Sequence, residues 1–381
     1  MGDLSQQLQA QVKQAYADKQ ALNIQGGKSK SFLGHSVSGE LVDLSTHTGV
    51  IDYQPTELTL RARAGTPLVE INDLLASHKQ KLGFNPPIFN QHSTLGGTVA
   101  AKQSGPQSPF YGSVRDAILG TQILDGQGTQ LQFGGQVMKN VAGYDVSRFL
   151  SGSFGTLGVL LDFTVRVIPI PARQITLSKQ IDAQASIELL ADWIRKSVPV
   201  SAACHNNNLL TIELTGTERS LDKYSTMPEI SVLDDNTANK FWADIRDHRH
   251  DFFQQLNETQ NLWSLIVPAY TQADSSLQGD WLYDWAGAQR WFISGEPETK
   301  IRLWCQKQGG YATLFRSGSP SSENSNMIFH PLATGLQELH RRIKFRFDPG
   351  LILNKGKMYP ELDIATSQSN PLAVARIEPG T

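Results

Sequence analysis

Ser93-Thr94-Leu95-Gly96-Gly97-Thr98, with Gln25-Gly26-Gly27-Lys28-Ser29-Lys30 ahead of it, decides how this chain is read. Each is a Gly-Gly pair set among hydroxyls or lysines. Two more clusters follow: Ser104-Gly105 with Tyr111-Gly112-Ser113-Val114-Arg115-Asp116, and Ser151-Gly152-Ser153-Phe154-Gly155-Thr156-Leu157-Gly158-Val159. One such cluster is ordinary turn chemistry, because glycine is the default residue for φ > 0. Four in order between apolar strands point to loops whose backbone approaches a ligand. Glycine permits the approach, successive N–H groups bind anions, and Ser or Thr hydroxyls add donors. A diphosphate needs that equipment.

Familiar phosphate motifs do not account for these loops. Gly27-Lys28-Ser29 imitates the end of a P-loop, but Leu22 stands where the first glycine is required. Gly152, Gly155 and Gly158 have the wrong spacing for a Rossmann fingerprint. Neither His-Glu-x-x-His nor any other zinc spacing occurs among the nine histidines, so no metal site is expected.

Composition narrows the class. The 381 residues carry 34 Lys and Arg against 36 Asp and Glu, a net charge of −2, which argues against a nucleic-acid protein working by bulk charge. Charged residues at 18% with hydrophobic ones at 39% are wrong for a disordered chain. The length predicts two domains. Cys204 and Cys305 are too few for a disulfide framework or a metal cage and read as reduced thiols. The first residues have neither the basic nor the apolar region of a signal peptide, and no run approaches the ~18 apolar residues of a membrane span. The expectation is a cytoplasmic protein that meets a membrane only through partners.

Periodicity places the clusters. A helix is expected over 3–20, strands over 22–25, 58–64, 118–124 and 129–133, and a helix after Thr66-Pro67, read as a cap and a first-turn proline. Val159, Leu161, Phe163, Val165 and Val167 alternate with Leu160, Asp162, Thr164 and Arg166, which predicts a clear strand. Beyond Pro169 and Pro171 the glycines thin out. Helices are expected over 186–196, 237–251, 297–308 and 331–345, and strands over 209–215, 262–267, 281–285, 290–293 and 311–315. This is an α+β pattern with an antiparallel sheet and no internal repeat. Arg341, Arg342, Lys344 and Arg346 read as a solvated helix face. Trp281, Trp285 and Trp291 read as core.

The order of the clusters resembles the FAD-binding superfamily of vanillyl-alcohol oxidase and p-cresol methylhydroxylase (PCMH). Lys139-Asn140-Val141-Ala142-Gly143-Tyr144-Asp145 resembles its glycolate and D-lactate dehydrogenase branch. Phe347-Asp348-Pro349 and Leu353-Asn354-Lys355-Gly356-Lys357-Met358 are similar to its C-terminal return segment. The moderate length, with Asp284-Trp285-Ala286-Gly287-Ala288-Gln289-Arg290-Trp291, is similar to the FAD-binding subunits of bacterial glycolate oxidases. The resemblance implies a two-subdomain PCMH-type FAD-binding fold over 1–171 and a smaller α+β, ferredoxin-like cap over 172–346. A return segment over 347–359 and a loosely ordered tail over 360–381 complete it.

The resemblance also implies roles. Gly26, Gly27, Lys28, Ser29 and Lys30 would hold the FAD diphosphate with Ser93, Thr94, Leu95, Gly96 and Gly97. Gly105, Gly112, Asn140, Val141, Ala142, Tyr144 and Gly152 would lie along the cofactor, and Gly155, Gly158 and Val159 beside its adenine. Lys28 stands where covalent relatives place a flavin-linked histidine, so non-covalent FAD is expected. Arg290 and Arg316 are candidates for a substrate carboxylate, and Asn354 for a position facing the flavin. The catalytic base is not identifiable. Catalytic members carry a His-x-Gly-Asp-Gly-Asn-x-His segment that this chain lacks. The resemblance therefore implies partners, a larger flavoprotein subunit and an iron–sulfur subunit, acting on glycolate or a similar small 2-hydroxy acid. A self-sufficient D-2-hydroxy-acid (D-lactate) dehydrogenase and a non-catalytic scaffold of the same fold remain alternatives.

Overall fold

The computed structural model describes residues 2–135, 145–274, 276–319 and 327–364. In chain order its elements begin with α1 (Ser5–Asp18), β1 (Leu22–Gln25), β2 (Glu40–Asp43), β3 (Val50–Gln54), β4 (Thr59–Arg63), α2 (Leu68–Ser77), β5 (Gln80–Lys81), α3 (Leu95–Ala100), α4 (Ser108–Tyr111), α5 (Val114–Ala117), β6 (Ile118–Leu124), β7 (Gln130–Gly134), α6 (Val146–Phe149), β8 (Val159–Arg166) and β9 (Ile168–Pro169). They continue with β10 (Arg173–Gln180), α7 (Ala183–Arg195), β11 (Val200–Asn206), β12 (Leu209–Gly216), α8 (Glu218–Ser225), β13 (Ser231–Leu233), α9 (Asp235–Arg246), α10 (Asp251–Gln254), β14 (Asn261–Ile266), β15 (Asp280–Asp284), β16 (Gln289–Ser294), α11 (Glu298–Lys307), β17 (Tyr311–Ser317) and α12 (Thr334–Phe347).

The first half is built on a five-stranded antiparallel sheet ordered β3-β4-β8-β6-β7 and a separate parallel pair, β1-β2. The strand expected over 159–167 is β8, and it is buried on both faces. It lies between β4 and β6, and its polar members are satisfied internally. Asp162 takes two hydrogen bonds from Arg61, both 3.0 Å, so its carboxylate is buried at little cost. The expected Thr66 cap is also corrected. Pro67 occupies the position before α2, and the buried Thr66 hydroxyl instead accepts from Gly49 N–H at 2.9 Å.

After α12 the chain returns to its beginning. Leu353 bridges Leu22 in parallel, and Asn354 accepts from Ile24 N–H at 2.7 Å. The return is pinned by Lys344, expected on a solvated face but in fact 4% exposed. Its ammonium bonds Asp348 (2.7 Å), Thr156 O (2.8 Å) and Leu353 O (2.9 Å). Arg342 and Arg346 lie one turn apart on the exposed side of α12, and Lys344, two residues from each, points to the opposite side, where α12 packs on the loop at 151–157.

The second half is one eight-stranded antiparallel sheet ordered β13-β10-β12-β11-β15-β16-β14-β17. Counted from each unit's own first strand, β10–β13 and β14–β17 both run in the order 4-1-3-2, the ferredoxin-like arrangement, joined where β11 meets β15. The expectation of no internal repeat is thereby corrected at the level of topology. Side-chain similarity between the units has gone, while the hydrogen-bonding order remains. In the first unit α7 connects strands one and two. In the second, residues 267–279 do so without a helix, and the β16–β17 connection keeps α11. Strands β10, β11 and β13 and helix α8 lay outside the sequence expectation. The helix expected over 237–251 breaks at His248, whose φ is +56°, into α9 and α10.

Polar contacts clamp the cap onto the first half. Gln107 donates to buried Glu213 at 2.6 Å, Tyr111 and Thr215 hydroxyls lie 2.9 Å apart, and Ile88 N–H donates to Asp247 at 2.8 Å.

Candidate functional site

The two Gly-Gly loops end up side by side. Between them runs a cavity of about 340 Å³, walled by β1 and residues 26–31, the start of α3, Phe154 to Gly158, and the return segment at Asn354 and Lys357. Gly27 is where the loops press together: a Cβ there would sit 1.5 Å from His92 O. At Gly26 and Gly97 a Cβ would meet only the Thr94 hydroxyl at 3.1 Å, so both glycines leave room on the cavity side. Thr94 is occupied locally, accepting from Gly97 N–H at 3.1 Å as the cap of α3.

The donor set is one-sided. The backbone N–H groups of Gly26, Gly27, Lys28, Ser29 and Lys30 find no acceptor among the described residues. Lys28 holds φ at +55°, bending this run into a concave nest. Its side chain is exposed, as a solvated loop lysine would be. Lys30 is different. It is 9% exposed, no carboxylate pairs with it, and burial pushes its ammonium down to about 8. Lys357, which sequence reasoning did not single out, lines the same cavity and is likewise pushed to about 8 by burial. Two desolvated cations and five unpaired N–H groups around one cavity await an anion. The residues present fit a dinucleotide diphosphate.

Asn354 holds this arrangement together, donating to Phe154 O at 2.7 Å while its oxygen accepts from Ile24 N–H. It is 4% exposed and lines the cavity. Ser93, Leu95 and Val159 are fully buried behind the wall. Gly105 and Gly152 line a second cavity instead, and Gly112 lines neither, packing at Asp116 and Arg166. Asn140, Val141, Ala142 and Tyr144 lie outside the described residues. Asp145 caps α6 by accepting from Arg148 N–H at 3.2 Å.

The second cavity, about 500 Å³, opens between residues 101–106 and the sheet of the second ferredoxin-like unit. Arg290, offered for a substrate carboxylate, is corrected here. It has no exposed surface, lines no cavity, and spends its guanidinium on the carbonyls of Gly287, Gln272 and Thr271. The 267–279 connection, without a helix among its described residues, leaves the Thr271 and Gln272 carbonyls needing a donor. Arg316 packs over the Phe32 ring at 4.8 Å and lines no described cavity either. The groups that do line the cleft are Asp284, Gln289, Ser264, His248, Arg246 and Lys102. Trp285 and Trp291, read as core, also line it. Among the described residues no cluster of His, Cys, Asp or Glu suits a metal ion, and no helix is long and apolar enough to cross a membrane.

Residues 4–134 match the family model described as an FAD binding domain. Among curated proteins, the glycolate oxidase subunit GlcE of Escherichia coli strain K12 is 39% identical over 360 residues, covering 94% of this chain and 99% of that one. The glycolate oxidase subunit GlcD of Bacillus subtilis strain 168 is 31% identical over 152 residues, covering 39% of this chain and 32% of that one. Among solved structures, p-cresol methylhydroxylase with substrate bound aligns with a TM-score of 0.68 at 13% identity over 93% of this chain and 87% of that one. That likeness shows a shared α+β PCMH-type fold and nothing further. The match to GlcE runs through both Gly-Gly loops, the cap and the return segment. This chain belongs to the family of the glycolate oxidase subunit GlcE.

Proposed function

We propose that this chain is the FAD-binding subunit of a glycolate dehydrogenase complex, which oxidises glycolate to glyoxylate together with partner subunits. The observation that carries the reading is the cavity with buried Lys30, half-buried Lys357 and five backbone N–H groups, none of them paired with a carboxylate or other acceptor among the described residues. The 26–30 loop, Lys30 and Lys357 would bind the diphosphate, with Gly26 and Gly97 leaving room for it. Asn354 would fix the return segment that closes the site. Among the described residues no His, Cys or Tyr lines this cavity, which supports a non-covalent cofactor. When bound, FAD supplies a two-electron acceptor for hydride, and the protein's part is to place and tune it. Residues 1–171 with 347–359 would form the cofactor-binding domain, and 172–346 the cap. A larger flavoprotein subunit and an iron–sulfur subunit would be the partners.

The test begins with the visible spectrum of the purified chain after incubation with FAD. A flavin spectrum that acid precipitation releases into the supernatant is expected. A chain that gains no flavin absorbance overturns the reading. Affinity capture from its native host should bring down a larger flavoprotein and an iron–sulfur protein, and recovery of the chain alone removes the complex.

A further inference from the structure

The second cleft contains a polar corner that holding a dinucleotide diphosphate leaves unexplained. Asp284 ends β15 and is 3% exposed, yet lines the cleft. One carboxyl oxygen accepts from Trp285 N–H at 2.7 Å. The other has no donor among the described residues. Strand register sets Gln289 opposite it, and Gln289 donates to Ser264 at 3.2 Å, with Thr313 beside Ser264 on β17. His248 reaches the same cleft from the α9–α10 break, and its buried Nδ1 has no partner.

The turn after Asp284 is strained. Trp285 and Ala286 both hold φ at +52°, a region that costs an L-residue roughly 1–2 kcal/mol and that glycine occupies freely. Strain of this kind persists where the surroundings enforce it. Here the indole of Trp285 donates to Gly105 O at 3.0 Å, across the cleft. Gly105 is itself packed against the 84–85 backbone: its N–H donates to Phe84 O at 2.9 Å, and a Cβ there would lie 2.0 Å from Asn85 O. The turn therefore bolts Asp284 to the loop on the cofactor side.

We propose that Asp284 is the acid–base residue of a small 2-hydroxy-acid site in this chain, with Trp285 as its positioning residue. The proposal rests on the proposed function, which supplies the flavin. Oxidation of a 2-hydroxy acid to the 2-oxo acid removes the hydroxyl proton and the C2 hydrogen with its electron pair. The proton passes to the Asp284 carboxylate, giving the carboxylic acid. The electron pair leaves with the C2 hydrogen to the bound flavin, the oxidant. Burial pushes Asp284 up to about 7, which suits a base working near neutrality. The neighbours do not offset this. Cys204 on β11 is a neutral thiol with its pKa pushed far up, Tyr311 on β17 is raised, and His248 is held neutral, pushed down to about 3. Of the cations lining the cleft, Arg246 is committed to Asp247 at 2.8 Å, which leaves Lys102 for the substrate carboxylate.

The test mixes the FAD-loaded full chain anaerobically with glycolate or D-lactate and follows the flavin band. Bleaching should quicken as pH rises through about 7, because the ionised carboxylate is the acceptor. Asp284→Asn should slow it by about 100-fold or more and abolish the pH dependence, with FAD content and melting temperature unchanged. Trp285→Phe should slow it by about 10-fold and keep the pH midpoint. Independently of turnover, infrared difference spectra should show a carboxylic-acid band that titrates near pH 7 in the wild type and is missing from Asp284→Asn. Wild-type bleaching by Asp284→Asn, or survival of that band, overturns the proposal. So does a wild-type flavin that neither acid bleaches, an outcome that leaves the FAD-binding reading standing. Failure to take up FAD at all sinks both.

Discussion

Replacing Lys30 by methionine should make the flavin-free chain more stable and a worse binder of FAD. Lys30 is 9% exposed without a carboxylate partner, and burial lowers its pKa from 10.5 to about 8. A displacement of that size corresponds to about 3 kcal/mol of folding free energy. The folded pKa lies below the unfolded one, so the charge costs stability in full below about pH 8. That cost fades between 8 and 10.5 as the unfolded chain loses its proton too. Removing the lysine relieves it, less about 0.5–1 kcal/mol for the Phe89 ring 5.8 Å from the ammonium. Lys30→Met should therefore raise the stability of the flavin-free chain by about 2 kcal/mol at pH 7 and by almost nothing at pH 10.5. FAD should bind about 10–100-fold more weakly, from loss of one charge-assisted contact worth roughly 1.5–3 kcal/mol. Urea melts of the flavin-free chain and quenching of FAD fluorescence measure the two effects. Wild-type affinity should fall above pH 8, at most tenfold per pH unit for each of Lys30 and Lys357, and the variant should lose one of those two decades. A flavin-free variant less stable than wild type, with unchanged FAD affinity, would refute the idea that Lys30 is held there for an anion.

Two glycines of the cavity should behave oppositely. Gly97→Asp has space for its Cβ, so the chain should fold while FAD affinity drops by about 100-fold, read by the same titration. Gly27→Ala drives a methyl into His92 O and should cost about 3 kcal/mol or more, read as a lowered urea midpoint. Lys344→Met strands the fully buried Asp348 carboxylate and should cost about 3–5 kcal/mol. Adding Asp348→Asn, which removes the charge and keeps an oxygen for the Ile352 and Leu353 N–H groups, should recover part of that, and a double variant as unstable as the single one would refute the pairing.

What the sequence disclosed was local. Gly-Gly pairs, hydroxyl-rich loops and strands such as 118–124 depend on neighbours in the chain, so their chemistry could be read in order. What it hid depends on distant partners. Lys357 reaches the cavity only because the return segment comes back beside β1. Arg290 looked like a carboxylate binder because arginine suits that role, but two carbonyls of the 267–279 connection and one of the turn after β15 claim it. Lys344 alternates with exposed Arg342 and Arg346 in a basic run, and the packing of α12 sets it inward against Thr156 and Asp348. Asp284 gave no signal as an ionisable group, since its significance comes from burial and from a strained turn that residue types alone do not reveal. The doubled cap escaped for another reason: hydrogen-bonding order survives in it while the side chains have diverged.

The parallel bridge between Leu22 and Leu353, with Asn354 reaching Ile24, has a consequence for synthesis. A ribosome makes β1 early relative to this neighbour, and the strand cannot acquire it until more than three hundred further residues have been added. Closure between such distant positions is slow and leaves an unpaired strand edge exposed while it waits. The glycine loops can be shaped before the return segment exists, yet Lys357 arrives with it, so the cofactor pocket is completed only once that segment has been made. A chain stalled or clipped before residue 357 would carry most of its strands and lack a finished place for the flavin.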